Sequence, residues 1–505
     1  MIRLAVVTGL FSAALLGWSA GGYPGATIGL ALSLTTLVVP WRRQPLWSWA
    51  ILHLRRNRSI ELAEPVTVAN DRCVGGVRYQ DGVAVAAIQI LGKCYRPTFL
   101  TGAQQMQTAN VIDIAELFPL LHQSMGLTIE SLSIISSGSR RRSIGDYPPV
   151  YDTLIGTAPY AGRRETWMAV RIRGVDNGEA LQCRDTVGTA TLAAAQRIAA
   201  ALRCRGIRAR VGTATDMVEL ERRLGRNSIG PRNRRWRGVR GNSGWYATYG
   251  YQPADLTGAA LDQAWAWPAD GIIQNVTIFP NGGATATVTV HTAQPAAAPP
   301  SVRLQTLPGE QAAAMASNMF CPRPMLRGIN IGRLPHTVTI PVGSSGVLLG
   351  KVASGDRLLL PLSDSGENSR VHVAADDAIA KRIVIRTAGA GDRITLHTTD
   401  LQRWASLRMP NVVVTDQPRP ALGTTVSVVD GTVQPAPRPG TVISIGPPTA
   451  VLDAAADVVI TQTAPAVIEV TAAGLTYEVE VEVFRAENRY VARSEPLAAE
   501  LAAVV

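Results

Sequence analysis

Two segments of the sequence approach the pattern of a phosphate-binding loop. Residues 373–381 follow a predicted strand and open a predicted helix, which is where a nucleotide-binding domain would hold its phosphates. They lack the glycines and the hydroxyl residue after lysine that such a loop requires, and Asp376 and Asp377 would repel phosphate. Residues 343–352 have the wrong glycine spacing and carry Val352 where serine or threonine should bind Mg²⁺. The sequence therefore argues against an ATPase.

The same two aspartates could form the paired-acid metal site of a sugar-transfer enzyme. At a helix N-terminus, however, aspartates commonly cap the helix and interact with its dipole, and we favour that interpretation for Asp376 and Asp377. The histidines are dispersed, and no HExxH or GxSxG motif occurs. We therefore predict no catalytic residue, no metal ligand and no cofactor-binding residue.

Charge and cysteine usage limit the partners and the compartment. All but three of the 49 basic residues are arginine, and the 505-residue chain has a net charge of +11. A positive balance favours an anionic partner, either nucleic acid or an acidic membrane surface. The five cysteines are odd in number, scattered and without a CxxC motif. This pattern does not indicate a disulfide framework and fits a reducing compartment best.

The N-terminal residues contain two apolar stretches. Residues 4–20 and 26–39 carry no charge and are separated by a segment rich in glycine with one proline. A bilayer core needs about 20 apolar helical residues and tolerates about 17. We therefore predict a two-helix transmembrane hairpin over residues 1–41, in which Gly25 and Gly29 allow close helix packing. The alternative is a cleaved secretory signal, which is disfavoured because Trp18 stands where a small residue should precede the cut.

The segment that follows is basic and aromatic. Five arginines follow the apolar stretches before the first acid, Glu61: Arg42, Arg43, Arg55, Arg56 and Arg58. The positive-inside rule therefore places everything after residue 41 in the cytoplasm and predicts a multi-pass protein of the cell inner membrane. Tryptophan favours the headgroup region and arginine favours anionic lipid, so we predict an interfacial collar; a first core helix of the soluble region is an equally open alternative. With Gly25 and Gly29, the candidate membrane or partner contacts are Trp41, Arg42, Arg43, Trp47, Trp49, Arg55 and Arg56.

The rest of the chain predicts a cytoplasmic α/β region of two units with a strand-rich C-terminal end. The almost wholly apolar run Val83–Leu91 predicts a central strand, and residues 110–123, 186–202, 215–224 and 400–407 predict helices. The order of strands and helices from residue 358 to 415 suggests a parallel sheet. Residues 137–156 are predicted to form a loop. The predicted boundaries are a transmembrane hairpin at 1–41, a basic and aromatic juxtamembrane segment at 42–60, a first α/β domain at 61–225, an Arg-rich linker at 226–243 and a second α/β domain at 244–505.

The predicted linker contains the densest basic cluster of the chain. Residues 226–240 hold six arginines and Trp236 but no acid. Basic residues around an aromatic are typical of nucleic-acid binding, but the sequence contains no recognisable nucleic-acid-binding motif beside them. We favour contact with a partner subunit or with lipid headgroups.

These features together resemble the EccE family, the E component of the type VII (ESX) secretion membrane complex of mycobacteria and related actinobacteria. The resemblance covers essentially the whole chain and depends on the order of its features. They are the two apolar N-terminal stretches with the Arg-Trp collar, the turn around residues 77–82, the aromatic stretch from Gly244, and residues 393–404.

The resemblance implies a non-enzymatic structural subunit that helps assemble and stabilise a protein secretion complex in the cell membrane. Its implied partners are the B, C and D membrane components and the lipid bilayer, without nucleic acid, and ATP hydrolysis is assigned to the C component. No catalytic residue is transferred. The alternative from another class of function is a membrane-associated enzyme of nucleotide-sugar or lipid chemistry, with a ligand held at the strand ends of an α/β sheet.

Overall fold

A computed structural model describes most of the chain, with short gaps. The described residues are 2–38, 40–41, 44–45, 49, 51–53, 60–102, 104–140, 146–182, 184–323, 326–334, 337–364, 366, 368–450 and 455–491.

The α-helices of the described residues differ widely in length. In chain order they are α1 (Ile2–Val38), α2 (Tyr147–Ile155), α3 (Gly178–Leu181), α4 (Val187–Cys204), α5 (Ala214–Arg223), α6 (Gly258–Ala264), α7 (Gln311–Ser317), α8 (Asp377–Gly389) and α9 (Asn488–Val491).

The strands account for most of the remaining regular structure. In chain order they are β1 (Pro40–Trp41), β2 (Gln44–Pro45), β3 (Val66–Asn70), β4 (Cys73–Gln80), β5 (Val83–Gly92), β6 (Thr98–Thr101), β7 (Gln105–Thr108), β8 (Val111–Asp113), β9 (Ser131–Ser139), β10 (Arg163–Arg173), β11 (Arg208–Val211), β12 (Val239–Arg240), β13 (Trp245–Tyr251), β14 (Gly271–Ile278), β15 (Gly283–Thr292), β16 (Leu304–Thr306), β17 (Gly332–Arg333), β18 (Thr339–Pro341), β19 (Val347–Lys351), β20 (Arg357–Leu360), β21 (Ser369–Ala374), β22 (Ile394–Thr398), β23 (Val412–Thr415), β24 (Val426–Asp430), β25 (Thr441–Gly446), β26 (Val458–Ala464), β27 (Val467–Ala472) and β28 (Leu475–Glu480).

Two large sheets organise these strands. The first runs β12-β13-β15-β14-β9-β10-β5-β4-β3, with β11, β16 and β17 paired beside it. The second runs β23-β22-β24-β25-β21-β26-β27-β28-β19-β20-β6-β7. In the second sheet six neighbouring strands are parallel, in the sheet order β23-β22-β24-β25-β21-β26. This agrees with the parallel sheet expected from strand and helix order.

The central strand β5 shows how the sequence builds the first sheet. Side chains alternate across a strand, so its even-numbered residues pack in one core with Leu192 and Ile198 of α4. Its odd-numbered residues Val83, Val85 and Ala87 pack on the opposite face with Met217 of α5 and Met315 of α7. Both faces are therefore buried, which explains why the run lacks the polar alternation of a half-exposed strand.

The two sheets exchange segments along the chain. The strand β6 lies early in the sequence but pairs with β20 of the second sheet, where Phe99 stands opposite Leu358. The helix α2 packs in the same second core through Tyr147 and Tyr151. Conversely, strands β12 to β17 complete the first sheet, so residues on both sides of the predicted Arg-rich linker pair within one sheet.

The predicted fold class, with its two-helix transmembrane hairpin, is contradicted. The N-terminal residues form the single helical element α1, and no helix of the described residues is both long and apolar enough to cross a membrane. The physical reason is the backbone at Gly21 and Gly22, which leaves helical geometry with φ −159° and φ 61°. This break divides α1 into residues 2–20 and residues 23–38, and the second stretch, of 16 residues, is shorter than the about 17 that a bilayer tolerates.

Several predicted elements also differ from the structure. Residues 110–123 form β8 and a 3₁₀ helix at Ala115–Leu121 rather than an α-helix, because Pro119 lies inside the segment and Ile112 pairs with Ile340. Residues 400–407 contain only a short 3₁₀ helix, and the segment read as a loop contains α2. The helices predicted at 186–202 and 215–224 are confirmed as α4 and α5, each begun by a threonine that caps its first turn.

Candidate interaction surface

The predicted contact residues Gly25 and Gly29 lie where two parts of α1 approach each other. A Cβ atom on Gly25 would stand 2.0 Å from the carbonyl oxygen of Gly17, and one on Gly29 would stand 2.4 Å from that of Ala13. Side chains cannot fit at these distances, so the close approach requires glycine at both positions. Across the break, the rings of Trp18 and Tyr23 meet edge to face at 4.5 Å.

The outer surface of α1 is strongly apolar. Its large exposed side chains are Phe11, Leu15, Leu16, Trp18, Tyr23, Ile28, Leu30, Leu32 and Leu34. A contiguous apolar surface of this kind marks a contact with another protein or with lipid.

The predicted aromatic contacts lie just beyond this element. Trp41 belongs to β1 and pairs with Gln44 of β2. Trp49 packs against Trp236 with ring centroids 5.8 Å apart, and Leu52 beside it is buried. The remaining predicted contacts, Arg42, Arg43, Trp47, Arg55 and Arg56, lie outside the described residues.

Trp236 occupies the tip of a basic turn that we call the arginine hairpin (residues 232–240). The Arg235 N–H donates to the Gly238 carbonyl at 2.9 Å, and Arg234 bridges to Val239. The hairpin continues into β12, at the edge of the first sheet. Its position is fixed by Gly309, whose N–H donates to the Trp236 carbonyl at 2.8 Å.

Gly309 also explains how the tryptophan pair fits. With φ +79°, it adopts a conformation that favours glycine. A Cβ atom there would lie 3.0 Å from the Trp236 ring and 3.5 Å from the Leu52 Cβ. The absence of a side chain therefore lets Trp236 and the segment around Trp49 lie against this turn.

A second contact fixes the chain just after the N-terminal segment, in residues 60–64, which we call the strap. The Ala63 carbonyl accepts from Arg78 Nε at 2.5 Å, and the Ala63 N–H donates to Gln80 Oε1 at 2.9 Å. Gln80 also donates to the Glu61 carbonyl at 2.9 Å. Arg226 donates to the Leu62 carbonyl at 2.9 Å and pairs with Glu64 at 2.6 Å. Three side chains from two places in the chain, β4 and Arg226, thus hold the strap.

The strap is supported by a buried ion pair. Arg78 and Glu221 have no exposed surface and share two hydrogen bonds, of 2.5 and 2.8 Å. Glu221 also accepts from the Phe320 N–H at 3.1 Å, and Arg78 donates to the Phe320 carbonyl at 2.8 Å. This pair joins β4, α5 and the turn that follows α7 beneath the strap.

The acidic residues considered for an enzyme lie at the carboxyl ends of the parallel strands, but the chain's own side chains engage them. Asp376 caps α8 by accepting from the Ile379 N–H at 2.9 Å, as predicted. Arg403 donates to Asp377 at 2.7 Å and to Asp430 at 2.9 Å. A guanidinium therefore lies between the carboxylates where a metal-dependent enzyme would place a cation. The described residues contain no group of three or more potential metal ligands.

Buried ionisable groups elsewhere connect the sheets rather than form a catalytic cluster. Arg208 of β11 makes a bidentate pair with Asp364, at 2.6 and 2.8 Å, and Asp364 lines a polar cleft of about 470 Å³ between the sheets. Arg164 donates to the Gly343 carbonyl at 2.6 Å. Burial raises the pKa of Asp262 to about 6 although the nearby Arg164 lowers it, and burial lowers the pKa of Arg164 to about 10.

The sequence interpretation missed the partners of Trp236 and the ion pair below the strap. A signal for Glu221 was present, because the spacing of Met217, Leu220 and Leu224 places residue 221 next to the apolar face of α5. The contact of Trp49 with Trp236 joins residues 187 positions apart, for which a single sequence carries no signal.

Fold and surface thus define a two-sheet α/β protein with an apolar N-terminal element and an adjoining basic, aromatic surface, without an assembled catalytic centre in the described residues. Comparison with known proteins gives its family. A family model described as "Putative type VII ESX secretion system translocon, EccE" matches residues 160–251, which include the arginine hairpin.

Relatives match over greater lengths. The chain is 47% identical to the ESX-2 secretion system protein EccE2 of Mycobacterium tuberculosis over 512 aligned residues, covering 97% of this chain and 95% of that protein. It is 26% identical to the ESX-1 secretion system protein EccE1 of Mycolicibacterium smegmatis, covering 74% and 76%. The chain therefore belongs to the EccE family and is a component of a type VII (ESX) secretion system. The predicted family and class of function are confirmed.

Proposed function

We propose that the chain is a non-enzymatic structural subunit that helps assemble and stabilise a type VII secretion complex at the cell membrane. Its proposed partners are the B, C and D membrane components of the same system. The observations that carry this proposal are the exposed apolar residues of α1 and the packing of Trp49, in the segment after α1, on Trp236 of the basic arginine hairpin. Such a surface fits a partner contact rather than catalysis.

Two further observations support a structural role and a cytoplasmic location of the body. Asp377 and Asp430, at the carboxyl ends of the parallel strands, are paired with Arg403, which leaves these two carboxylates poorly suited to bind a metal or act as a base. Cys73, Cys204 and Cys321 form no disulfide within the described part of the chain, which fits a reducing compartment.

The close approach inside α1 provides a test. Replacing Gly25 and Gly29 together by leucine places side chains against backbone oxygens that are already within 2.4 Å of a Cβ, so the two parts of α1 must separate. We expect the double variant, expressed at native levels and extracted in mild detergent, to recover less of the B, C and D components than the natural chain does.

The matched control is Gly9→Leu, because nothing lies within 4 Å of a Cβ at that position. It should recover the partners at the natural level. Equal recovery by both variants would show that α1 does not contribute the assembly contact. Absence of the B, C and D components from the natural chain would contradict the proposed function itself.

A further inference from the structure

The arginines of the predicted linker fall into two groups with different surroundings. Arg226 is held by Glu64 and Glu221, and Arg234 donates to the Ile229 carbonyl at 3.0 Å. Four others are exposed and form no ion pair with a carboxylate of the described residues: Arg232, Arg235, Arg237 and Arg240. The first group maintains the fold, and the second presents four positive charges to the outside.

The exposed group has a defined orientation relative to the N-terminal segment. Trp236 lies among these arginines and packs on Trp49, with about two-fifths of its own surface still exposed. The hairpin is held in place by the Gly309 N–H, which donates to the Trp236 carbonyl, and by the pairing of its own strand β12 with β13. The arginine hairpin and the chain that leads away from α1 therefore share one surface.

We propose that the arginine hairpin binds the anionic headgroups of a lipid bilayer. This inference rests on the proposed function, which places the chain at a membrane, and adds the chemistry of the contact. Each guanidinium matches a phosphate with two parallel hydrogen bonds, and a tryptophan ring favours the headgroup region. Lipid headgroups are mobile, so they can neutralise four charges on a convex turn without a matching rigid surface.

Lipid is favoured over an acidic protein surface by the neighbourhood of the hairpin. Trp49, which packs on the hairpin, follows α1 by only eleven positions in the sequence, and the exposed apolar side chains of α1 require shielding from water. Basic residues beside such a boundary add about 1 kcal/mol each toward an anionic surface, which corresponds to about fivefold in partitioning.

The test compares two vesicle compositions with the full chain. Sedimentation measures partitioning onto vesicles of phosphatidylcholine alone and onto an equal mixture with phosphatidylglycerol. Because α1 contributes to both, the ratio of the two partition coefficients isolates the effect of charge. Replacing the four exposed arginines by glutamine should lower this ratio by about fivefold for each residue removed, and added salt should lower the ratio of the natural chain.

The matched control removes the same net charge elsewhere, at exposed arginines far from the hairpin in sequence: Arg303, Arg408, Arg419 and Arg438. It should change the ratio by less than twofold. Equal ratios for the two variants would overturn the proposal. If the ratio is unchanged in the hairpin variant but the variant no longer recovers the B, C and D components, the hairpin binds protein instead. If the ratio is unchanged but the variant no longer binds a short DNA duplex, the hairpin binds nucleic acid instead. Normal recovery of those components combined with an unchanged ratio would reject lipid binding and leave the proposed function standing.

Discussion

At the scale of single residues, the ion pair of Arg78 and Glu221 is the most demanding feature of the fold. Both side chains are fully buried, and together they hold the strap, β4 and the turn that follows α7. Two charges removed from water are stable only when each satisfies the other's hydrogen-bonding groups. Arg78 and Glu221 satisfy each other through two hydrogen bonds, and further hydrogen bonds to Ala63 and Phe320 satisfy their remaining polar atoms.

We expect Glu221→Gln to lower the free energy of unfolding by about 3–5 kcal/mol, because it leaves a buried guanidinium without a counter-charge. Chemical denaturation monitored by tryptophan fluorescence measures this change. Glu219→Gln is the control, since Glu219 pairs with Arg223 at the surface and should contribute less than about 1 kcal/mol. Similar losses in both variants would show that the buried pair contributes no more than an exposed one.

A second prediction at this scale concerns pH. Burial raises the pKa of Asp262 to about 6, so the folded state favours the neutral carboxyl. Its stabilising contribution is complete below about pH 4 and is lost as pH rises through 6. Asp262→Asn should therefore have little effect near pH 4 and should raise the free energy of unfolding at pH 7.5, by up to about 3 kcal/mol.

Asp216→Asn should show the opposite sign. Burial opposes ionisation of Asp216, but the Thr213 N–H and Arg210 donate to its carboxylate and hold the pKa below its ordinary value. Its contribution is present at neutral pH and is lost on acidification. Urea unfolding of both variants at the two pH values tests the pair, and a change of the same sign in both would contradict this assignment.

At the scale of elements, the contact of Trp49 with Trp236 is the feature that joins the N-terminal segment to the body. Aromatic pairs contribute about 0.5–1.5 kcal/mol beyond the area they bury. We expect Trp49→Ala and Trp236→Ala to be non-additive by that amount in a double-mutant cycle of unfolding free energies. Additive effects would mean that the two rings do not interact in solution.

Elements with strong local signals were predictable from the sequence. The apolar run of β5, the capped helices α4 and α5, and Asp376 at the start of α8 each follow from residues within one or two turns. Residues 110–123 were wrong because their helical spacing of apolar side chains was outweighed by Pro119 and by pairing with residues 339–341. The surface around Trp236 could be predicted only as a basic cluster, because its partners Trp49 and Gly309 are distant in sequence.

The transmembrane hairpin was wrong for a related reason. Composition measures how apolar a stretch is, but the length of continuous helix depends on the backbone at Gly21 and Gly22. Glycine is compatible with both helical and left-handed geometry, and Gly21 and Gly22 lie in the glycine-rich segment between the two apolar stretches, so the place of the interruption was predictable from the sequence.

At the scale of the whole molecule, segments from each part of the chain contribute to both sheets, and this determines how the protein responds to proteolysis. The predicted division at residues 226–243 stays a prediction, and proteolysis can test it. A protease site introduced at Asn242–Ser243 would leave β14 paired with β9 across the cut, and β6 with β20. We therefore expect the two fragments to co-elute in size-exclusion chromatography and to separate only in denaturant. Elution as two folded fragments would establish independent units.

The late position of β20 has a consequence for the order in which the protein is made. Ribosomes add about 5–20 residues per second, so β6 waits on the order of ten seconds or more for its partner strand. Arg226, which holds the strap, and Phe320, whose backbone bonds the Arg78–Glu221 pair below it, also emerge well after the strap itself. During synthesis, the apolar N-terminal element is therefore exposed to the cell before the body that anchors it exists. Binding of this element to a membrane or to a partner subunit therefore competes in time with completion of the rest of the chain.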